Sequence, residues 1–511
     1  MIAKIDSMSL CGIQGQRISV EAGVNDGLPG FIMTGFLSSE VREAQDRVRT
    51  AIRNLELNLN PKKITVNLSP ADIRKEGTGF DMAIAVAVLS AYGLIPLNAV
   101  SETMFVGELG LDGLVKGIPG ILAMTDWAKE CGVRRIFMPK CNLQEASVIK
   151  GIGLVGVGSL QELFYMLRGS IPMKEVINGD LCGVEQRFDH YELDFSEVNG
   201  QMVLRRAAEV AVSGGHNLMM IGPAGSGKTM IAKRLPTIMP PMDLNECIEI
   251  SKIYSISHLL SEEQPLVTSR PFRAPHHTIS DKALIGGGGR PKPGEISLAT
   301  GGILFLDELP EMSRTAIEAL RQPLEEKQVT ISRLHGNLIY PARFQLVAAL
   351  NPCLCGHYPD LSRCTCTASQ IRRYLSRVSR PLLDRMDICV EASPMSYEEV
   401  SVQNDNEDSA TIRQRVVCAR EIQEKRFHDY GIRCNHEMTS AMVRRFCSIS
   451  FEESRFLESV FCEMKFSARM YDKILKVART IADMAFHREI EHVDLCEAIS
   501  YVRVREKYWK S

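Results

Sequence analysis

Hydrophobic and polar positions alternate along residues 1–169 with two different periods. Strand-like apolar runs are Ile2 to Ile5, Ile64 to Leu68, Met104 to Leu109, Ile136 to Pro139 and Leu154 to Val157. Helical periods occur at Val41 to Leu57 and at Met82 to Tyr92. The first of these helices places Ala44, Val48, Ala51, Ile52 and Leu55 on one face. Short strands mixed with amphipathic helices predict one compact α/β domain over residues 1–169.

The pattern changes three times beyond this domain. Residues 170–200 have few apolar repeats and several charges, which predicts a linker and a hinge. Residues 201–395 contain apolar runs typical of buried strands. An acidic, polar stretch after Ser393 leads into residues 396–511, where helical periods such as Ile474, Val477, Ala478, Ile481 and Ala482 predict a lid of four or five helices.

A glycine-rich loop follows the apolar run Asn217 to Ile221 and begins the helical segment Lys228 to Leu235. It reads Gly222, Pro223, Ala224, Gly225, Ser226, Gly227, Lys228 and Thr229, followed by Met230, and completes the pattern GxxxxGK with a final Ser or Thr. Such glycines let backbone N–H groups converge on phosphates, the lysine neutralises the β- and γ-phosphates, and the threonine hydroxyl ligates Mg²⁺. A chance turn is the alternative, but the order of strand, loop and helix favours a site for ATP and Mg²⁺.

Two more strands end in polar residues that suit the same site. The run Gly302 to Leu306 ends in Asp307 and Glu308, which we expect to hold the Mg²⁺ shell and to polarise the attacking water, respectively. The run Phe344 to Leu350 ends at Asn351, a position that resembles sensor 1 of AAA+ ATPases. Alone these would be an acidic turn and an Asn-Pro turn. Beside the phosphate loop they predict ATP hydrolysis.

Composition indicates the cellular compartment of the protein but does not identify its substrate. The 511 residues are 45% hydrophobic and 24% charged with a formal net charge of -2, so no overall positive field favours nucleic acid. The fifteen cysteines are scattered, the first residues lack a secretory pattern, and the longest apolar run is short for a membrane span. We expect a cytoplasmic protein with no membrane partner.

The N-terminal domain resembles the Lon-protease-type domain that precedes a family of magnesium-chelatase-like ATPases. The segments Lys75 to Asp81 and Gly107 to Gly113 carry the resemblance. Active proteases of this type use a serine and a lysine, and the surrounding residues align Gly79 and Leu122 with those two positions. The resemblance therefore implies a retained fold without peptidase activity, since Lys75 or Lys116 would have no nucleophile in register.

Over nearly its whole length the chain resembles the ComM/YifB family of magnesium-chelatase-like AAA+ proteins. The segments that carry this resemblance are Pro271 to Thr278, Ile285 to Gly289, Pro293 to Ala299, Leu306 to Pro310, Arg372 to Ser376 and Pro381 to Asp387. It implies a P-loop AAA+ ATPase core, a C-terminal helical lid and a homohexamer. It also implies that Arg385, or else Arg380, is an arginine finger for ATP on a neighbouring subunit, and that Arg469 is sensor 2. The alternatives are an ion pair of Arg385 with Asp384 or Asp387, and a solvated Arg469.

A four-cysteine loop, residues 353–366, follows Asn351 directly. Cys353, Cys355, Cys364 and Cys366 form two CxC pairs eight residues apart, and four thiolates at this spacing can close a tetrahedral Zn²⁺ site. His357 lies within the loop and offers an alternative ligand. Free buried or redox-active thiols are the competing interpretation.

Two segments are candidate DNA contacts. Gly286 to Gly289 precede Arg290 and Lys292, a pattern that lets cations approach a phosphodiester backbone closely. Strand-like runs flank Leu334 to Gly336, and related hexameric motors place such a hairpin at their central pore. Arg333 and His335 are the candidates there, although a structural hairpin is an equal alternative.

We therefore expect an ATP-hydrolysing AAA+ motor. The resemblance implies action on DNA, as a helicase or in branch migration during recombination or natural transformation. One alternative is a chelatase motor for metal insertion into a porphyrin, which is disfavoured because the chain has no DxSxS motif for the integrin-type partner. The other is an ATP-dependent protein remodeller. For His276 and His277 we expect a structural or nucleotide-proximal role.

Overall fold

A computed structural model describes residues 2–57, 59–177, 191–261, 263–288, 292–333, 336–394, 406–464 and 466–509. The strands are β1 (Ile2–Cys11), β2 (Gln14–Asn25), β3 (Gly30–Thr34), β4 (Lys63–Ser69), β5 (Thr103–Phe105), β6 (Glu108–Leu109), β7 (Val115–Lys116), β8 (Arg135–Pro139), β9 (Gly153–Val157), β10 (Leu218–Ile221), β11 (Phe272–Arg273), β12 (Gly286–Gly287), β13 (Lys292–Pro293), β14 (Ile303–Leu306), β15 (Gln328–Arg333), β16 (Gly336–Pro341), β17 (Gln345–Leu350) and β18 (Ile388–Glu391).

The helices before the four-cysteine loop are α1 (Ser39–Arg53), α2 (Asp81–Ala91), α3 (Ile121–Glu130), α4 (Leu143–Ala146), α5 (Leu160–Leu167), α6 (Met202–Gly214), α7 (Lys228–Ile238), α8 (Leu244–Ile256), α9 (Asp281–Ile285), α10 (Glu295–Leu298), α11 (Arg314–Ala319) and α12 (Arg321–Glu326). Those after it are α13 (Ala368–Leu375), α14 (Arg380–Leu383), α15 (Ser409–Phe427), α16 (Ser440–Phe446), α17 (Phe451–Met464), α18 (Ala468–Met484) and α19 (His492–Trp509).

The chain forms two compact units. The first contains Met1–Arg187, Leu244–Val267 and Thr330–Tyr340, and the second contains Phe188–Asp243, Thr268–Val329 and Pro341–Ser511. Two segments that sequence reasoning placed in the ATPase core, α8 and most of the β15–β16 hairpin, thus pack with the N-terminal unit. Gly12 fits closely under this hairpin, because a Cβ there would lie 3.0 Å from the carbonyl oxygen of Ile339.

A seven-stranded mixed sheet with the order β3-β4-β2-β1-β5-β8-β9 organises the first unit. The predicted amphipathic helix is present as α1, where the Ser38 side chain accepts a hydrogen bond from the backbone N–H of Val41. Helix α2 is buried along its whole length, which explains why its sequence is apolar on every side. Its one carboxylate, Asp81, is bound by the Arg47 guanidinium at 2.7 and 3.0 Å.

The two positions that align with the protease dyad lie inside this unit. Leu122 is fully buried in α3, and a Cβ at Gly79 would meet Ile118 at 3.8 Å. The Lys75 ammonium donates to the carbonyl of Pro70 within its own loop, and burial lowers the pKa of Lys75. Leu122 is thus a core residue, and Lys75 is held by a backbone carbonyl.

A five-stranded parallel sheet with the order β11-β14-β17-β10-β18 organises the second unit. Strand β10 is central, with Ile221 paired to Leu350 on one side and to Glu391 on the other. Because all five strands run in the same direction, the loops that follow β10, β14 and β17 leave from one edge. This edge receives the phosphate loop, Asp307 and Asn351.

The lid shares one hydrophobic core with the sheet. The core residues include Leu218, Val347 and Ile388 from strands, together with Val416 of α15 and Ile474 of α18. Helices α15 to α19 lie in the described part of residues 406–509, in agreement with the predicted lid of four or five helices. The sheet and the lid are therefore parts of one compact unit.

A buried ion network fixes the lid internally. Asp483 of α18 accepts hydrogen bonds from Arg426 and from Arg479, the latter at 3.0 Å, and a further one from the Asn435 amide at 2.8 Å. The side chain of Asp483 is fully buried and that of Arg479 is 3% exposed. Buried charges of this kind are tolerated only when each is paired.

Both described ends of the predicted 170–200 linker are ordered. Val176 bridges Leu154 through reciprocal backbone hydrogen bonds of 2.9 Å in the first unit. Phe195 is fully buried in the core of the second unit. Residues 178–190 of the predicted hinge lie outside the described residues.

Candidate ATP site

The phosphate loop connects β10 to α7 and is shaped by two glycines. Gly225 and Gly227 have φ of 77° and 79°, in the left-handed region that glycine adopts without strain. Lys228 is the first residue of α7, so the helix N-terminus and its N–H groups face the loop. Met230 follows on α7 with 45% exposure.

The Lys228 ammonium turns back into the loop. It donates to the carbonyl oxygens of Gly222 and Pro223, both at 2.8 Å, and lies 3.3 Å from the Ser226 hydroxyl. Burial lowers the pKa of Lys228, and the nearby Asp307 carboxylate opposes that effect. The ammonium thus lies within the loop, from which the lysine of such a motif reaches the β- and γ-phosphates.

The polar ends of β14 and β17 meet the phosphate loop. The Thr229 hydroxyl donates to Asp307 at 2.8 Å, and the Lys228 ammonium lies 3.4 Å from the Asn351 side-chain oxygen. The four residues predicted from separate segments thus form two neighbouring pairs, Thr229 with Asp307 and Lys228 with Asn351. A hydroxyl and a carboxylate at this edge form the oxygen-rich set that Mg²⁺ prefers, so the residues fit both ATP and Mg²⁺.

Glu308 has a partner that the sequence did not indicate. The Nδ1 atom of His277 lies 3.0 Å from its carboxylate, and the two residues are 31 positions apart in sequence. Glu308 also adopts a positive φ of 50°, which a non-glycine residue rarely takes and which often marks a functional site. The adjacent His276 ring instead lies 2.9 Å from the Thr278 hydroxyl.

The two arginines expected to act on phosphate are not part of this cluster. Arg385 donates to the Glu325 carboxylate and to the carbonyl of Pro381, and its side chain is 13% exposed. Its ion-pair partner is thus Glu325, rather than Asp384 or Asp387 as the alternative interpretation held. Arg469 is exposed in the first turn of α18 and forms no hydrogen bond or ion pair with a described residue.

A cavity of about 1000 Å³ lies beside α14 and is rich in arginine. Its cationic lining residues are Arg314, Arg321, Arg373, Arg377 and Arg380. Arg377 is paired with Glu311 and Arg321 with Glu318, each at 2.8 Å. Arg373 and Arg380 are exposed and have no ion-pair partner among the described residues. The cavity therefore presents an excess of positive charge.

The four cysteines of the loop converge. Their sulfur atoms all lie within 4.8 Å of one another, with separations of 3.3 Å between Cys353 and Cys355, 3.8 Å between Cys353 and Cys364, and 3.6 Å between Cys355 and Cys364. A tetrahedral zinc with Zn–S bonds of about 2.3 Å places its sulfurs about 3.8 Å apart. The backbone N–H of His357 and neighbouring thiols lower the pKa of Cys355 to about 5. The backbone N–H of Cys366 lowers the pKa of Cys364, but burial and the neighbouring thiols outweigh it and raise that pKa to about 12. The set fits Zn²⁺ without a histidine ligand.

The cysteine loop lies against the phosphate loop. A Cβ at Gly356 would lie 3.9 Å from the backbone nitrogen of Ala224. A cavity of about 750 Å³ between the two loops is lined by residues of both, including Pro223, His357 and Tyr358. The metal-site candidate and the ATP-site candidate are thus immediate neighbours.

Family models match most of the chain. The model described as magnesium chelatase, subunit ChlI, matches residues 194–400, that of subunit ChlI of Mg-chelatase matches 20–142, and that of the ChlI C-terminal region matches 406–502. YifB of Escherichia coli K12 is 40% identical over 500 residues, which cover 97% of this chain and 96% of YifB. Competence protein ComM of Haemophilus influenzae is 38% identical over 515 residues, which cover 99% of both chains.

This chain belongs to the ComM/YifB family. The family and fold class predicted from the sequence are thereby confirmed: a magnesium-chelatase-like AAA+ core, a Lon-type domain before it and a helical region after it. Membership implies the use of ATP and Mg²⁺.

Two further proteins match only part of the chain. Lon protease 2 of Bacillus subtilis is 31% identical over 127 residues, 24% of this chain and 22% of that protease. DNA repair protein RadA of Streptococcus pneumoniae is 33% identical over 95 residues, 19% of this chain and 22% of RadA. The match to Lon supports the Lon-like assignment of the N-terminal region.

The candidate DNA contacts are only partly described in this ComM/YifB-family chain. Lys292 is exposed in β13, and Arg333 ends β15. Arg290 and His335 lie outside the described residues. Within the ranges that the structure covers, no helix has the length and apolar character needed to cross a membrane.

Proposed function

We propose that this protein is an ATP-hydrolysing motor that acts on DNA as a homohexamer. The observation that carries the ATPase part is the meeting of Lys228, Thr229, Asp307 and Asn351 at one edge of the parallel sheet. Neither a glycine-rich turn nor an acidic loop alone requires these four side chains to be adjacent.

The residues have separate roles in this proposal. Lys228 leaves its loop carbonyls to bind the β- and γ-phosphates, and Asn351 orients the water relative to the γ-phosphate. Thr229 and Asp307 would hold Mg²⁺, which neutralises charge on the phosphate oxygens. Glu308 accepts a proton from the attacking water once His277 releases its carboxylate.

The neighbouring subunit supplies an arginine in this proposal. Arg385 reaches ATP of the next subunit by exchanging Glu325 for a phosphate oxygen, and its planar guanidinium suits that exchange. Arg380 is the second candidate because it is exposed beside the arginine-rich cavity and has no ion-pair partner among the described residues. Arg469 acts as sensor 2 from the lid.

The DNA part is supported by the relatives. ComM is named as a competence protein and RadA as a DNA repair protein, and both names refer to the handling of DNA. Lys292, Arg290, Arg333 and His335 are the proposed contacts. Zn²⁺ bound by the four cysteines stabilises the loop that lies against the ATP site.

ATP turnover by the purified full chain, with Mg²⁺ and different effectors, tests the proposal. Branched or single-stranded DNA should raise the rate, whereas porphyrin with Mg²⁺ and unfolded protein should not. Stimulation by porphyrin or by unfolded protein alone would replace the proposal with the chelatase or remodeller function. The mass in solution with a non-hydrolysable ATP analogue tests the hexamer, and a persistent monomer would contradict it.

The matched variants are Glu308→Gln and Glu326→Gln. Glu308→Gln should lose at least about 100-fold in kcat while still binding ATP, because it removes the proposed base. Glu326 is an exposed carboxylate at the end of α12, so its amide variant should keep the wild-type rate. Equal rates for both variants would exclude Glu308 as the catalytic carboxylate.

A further inference from the structure

The segment that carries Arg385 is held by the lid of its own subunit. Lys473 of α18 donates to the carbonyl of Met386 at 2.7 Å, and its ammonium lies 3.5 Å from the Asp387 carboxylate. His436 donates to the other oxygen of Asp387 at 2.7 Å. Lys473 and His436 of the lid therefore bind Met386 and Asp387, the two residues that follow Arg385.

The same segment has further anchors on both sides. Arg505 of α19 pairs with Asp384 at 3.2 Å. From the end of α6 and the start of β10, the Asn217 amide donates to the carbonyl of Arg385 at 2.8 Å, and the backbone N–H of Asn217 donates to Asp387 at 3.1 Å. The backbone of Arg385 is thus fixed while its side chain reaches outward to Glu325.

Opposite charges stabilise the contact between Asp387 and the lid residues His436 and Lys473. Burial on its own would raise the pKa of Asp387, but the charges of His436 and Lys473 outweigh burial and hold it well below its usual range. Breaking either contact would leave the buried Asp387 carboxylate with fewer charge partners, which is costly for a buried charge.

Metal binding does not explain the cluster. Ligand atoms of His216, Asp387 and His436 lie within 4.8 Å of one another. The ammonium of Lys473 already lies against the Asp387 carboxylate and would repel a cation. The arrangement is a polar junction between the lid and the sheet.

Lys473 also lies one helical turn after Arg469, the proposed sensor 2, on α18. A movement of α18 that follows the nucleotide at Arg469 must therefore move Met386 and Asp387 as well. We propose that Lys473 and Asp387 are positioning residues that transmit the lid position of one subunit to Arg385, which acts on the ATP of the next subunit. This inference rests on the proposed ATPase function and on Arg385 acting in trans.

Subunit mixing tests the transmission. Lys473→Met removes the ammonium and keeps a side chain of similar length, while Asp387 keeps its bond to His436. The variant should lose about tenfold to 100-fold in kcat, the range expected when a catalytic group is misplaced by about 1 Å, with KM and analogue binding changed less than threefold. When it is mixed with Glu308→Gln subunits, which have an intact arginine and an inactive site, turnover should exceed the sum of the two separate rates.

Two controls separate the possible failures. Lys476→Met alters a half-buried lysine of the same helix. Its ammonium donates to the carbonyl of His436 and forms no hydrogen bond or ion pair with Asp387 in the described part of the chain, so the variant should stay within threefold of the wild type. Arg385→Ala lacks the arginine itself, so mixing it with Glu308→Gln subunits should also give turnover above the sum of the two separate rates. A wild type without ATP turnover would refute the proposed function itself.

The remaining outcomes concern the transmission alone. If Arg385→Ala is complemented and Lys473→Met is not, Lys473 acts only within its own subunit and the inference is wrong. A Lys473→Met variant with wild-type kcat, or a Lys476→Met variant with the same defect, would overturn it as well. The inference is supported if Glu308→Gln subunits restore turnover to Lys473→Met and if Lys476→Met alone has nearly wild-type activity.

Discussion

Replacing Cys364 by serine should remove one zinc ion from each chain. In the structure the sulfur of Cys364 lies 3.8 Å from that of Cys353 and 3.6 Å from that of Cys355, close to the separation of about 3.8 Å in a tetrahedral site. The serine hydroxyl is a poor ligand for Zn²⁺ at neutral pH. Three thiolates would remain, with a coordination position open to solvent.

The magnitude follows from the strength of closed zinc sites. Four-ligand structural sites bind with about 10 kcal/mol or more, which corresponds to a Kd of about 50 nM or tighter. Such a site stays loaded through purification at micromolar protein concentration. We therefore expect about one zinc per wild-type chain and about one tenth of that or less in Cys364→Ser.

Elemental analysis of the purified proteins measures the metal, and thiol titration gives a second readout. Four of the fifteen thiols should react only after a chelator is added. Cys462→Ser is the matched control, since Cys462 is an exposed cysteine of α17 away from the cluster and should leave the zinc content unchanged. A wild type without metal, or equal zinc loss in both variants, would refute the assignment.

Three further predictions concern the lid and the ATP site. Asp483→Ala should lower the free energy of unfolding in urea by about 3–5 kcal/mol, because buried Arg479 loses its carboxylate; a loss below about 1 kcal/mol would contradict this. Burial lowers the pKa of His216 to about 4 in the folded chain. As the pH falls below about 6.5, His216 is therefore protonated in the unfolded chain while it is still neutral in the folded chain. The stability that depends on neutral His216 is therefore fully present above about pH 6.5, and the free energy of unfolding should fall by about 3 kcal/mol on acidification to about pH 4. The control is His216→Gln, which cannot take up this proton. If this variant shows the same pH dependence of stability as the wild type between about pH 7 and 4.5, the reasoning is refuted. Lys228→Met should weaken binding of a fluorescent ATP analogue by about tenfold to 100-fold, since the variant cannot form the proposed ammonium contact to phosphate; unchanged binding would exclude the phosphate-loop assignment.

The ATP-site candidate was largely predictable because each part is local in sequence. A buried strand followed by glycines, or by two acids, identifies its own loop without knowledge of the fold. Parallel strands then bring those loops to one edge, which explains the contact of Thr229 with Asp307 across 78 residues.

The missing parts depend on contacts between distant segments. Nothing near Glu308 in sequence indicates His277, and nothing near Arg385 indicates Glu325, sixty residues earlier. The junction of Asp387 with His436 joins residues 49 apart, and each of the two looks unremarkable alone. Ion pairs of this kind depend on packing geometry, which periodicity and spacing do not specify.

The single hydrophobic core of the second unit limits how this protein can be divided for study. A fragment that ends at Pro394 would keep the phosphate loop and Asp307, but it would lose the apolar faces of α15 and α18 that cover the sheet. The exposed strand and helix surfaces would then favour aggregation over folding. A soluble fragment that contains the nucleotide-binding sheet must therefore also retain residues 406–509.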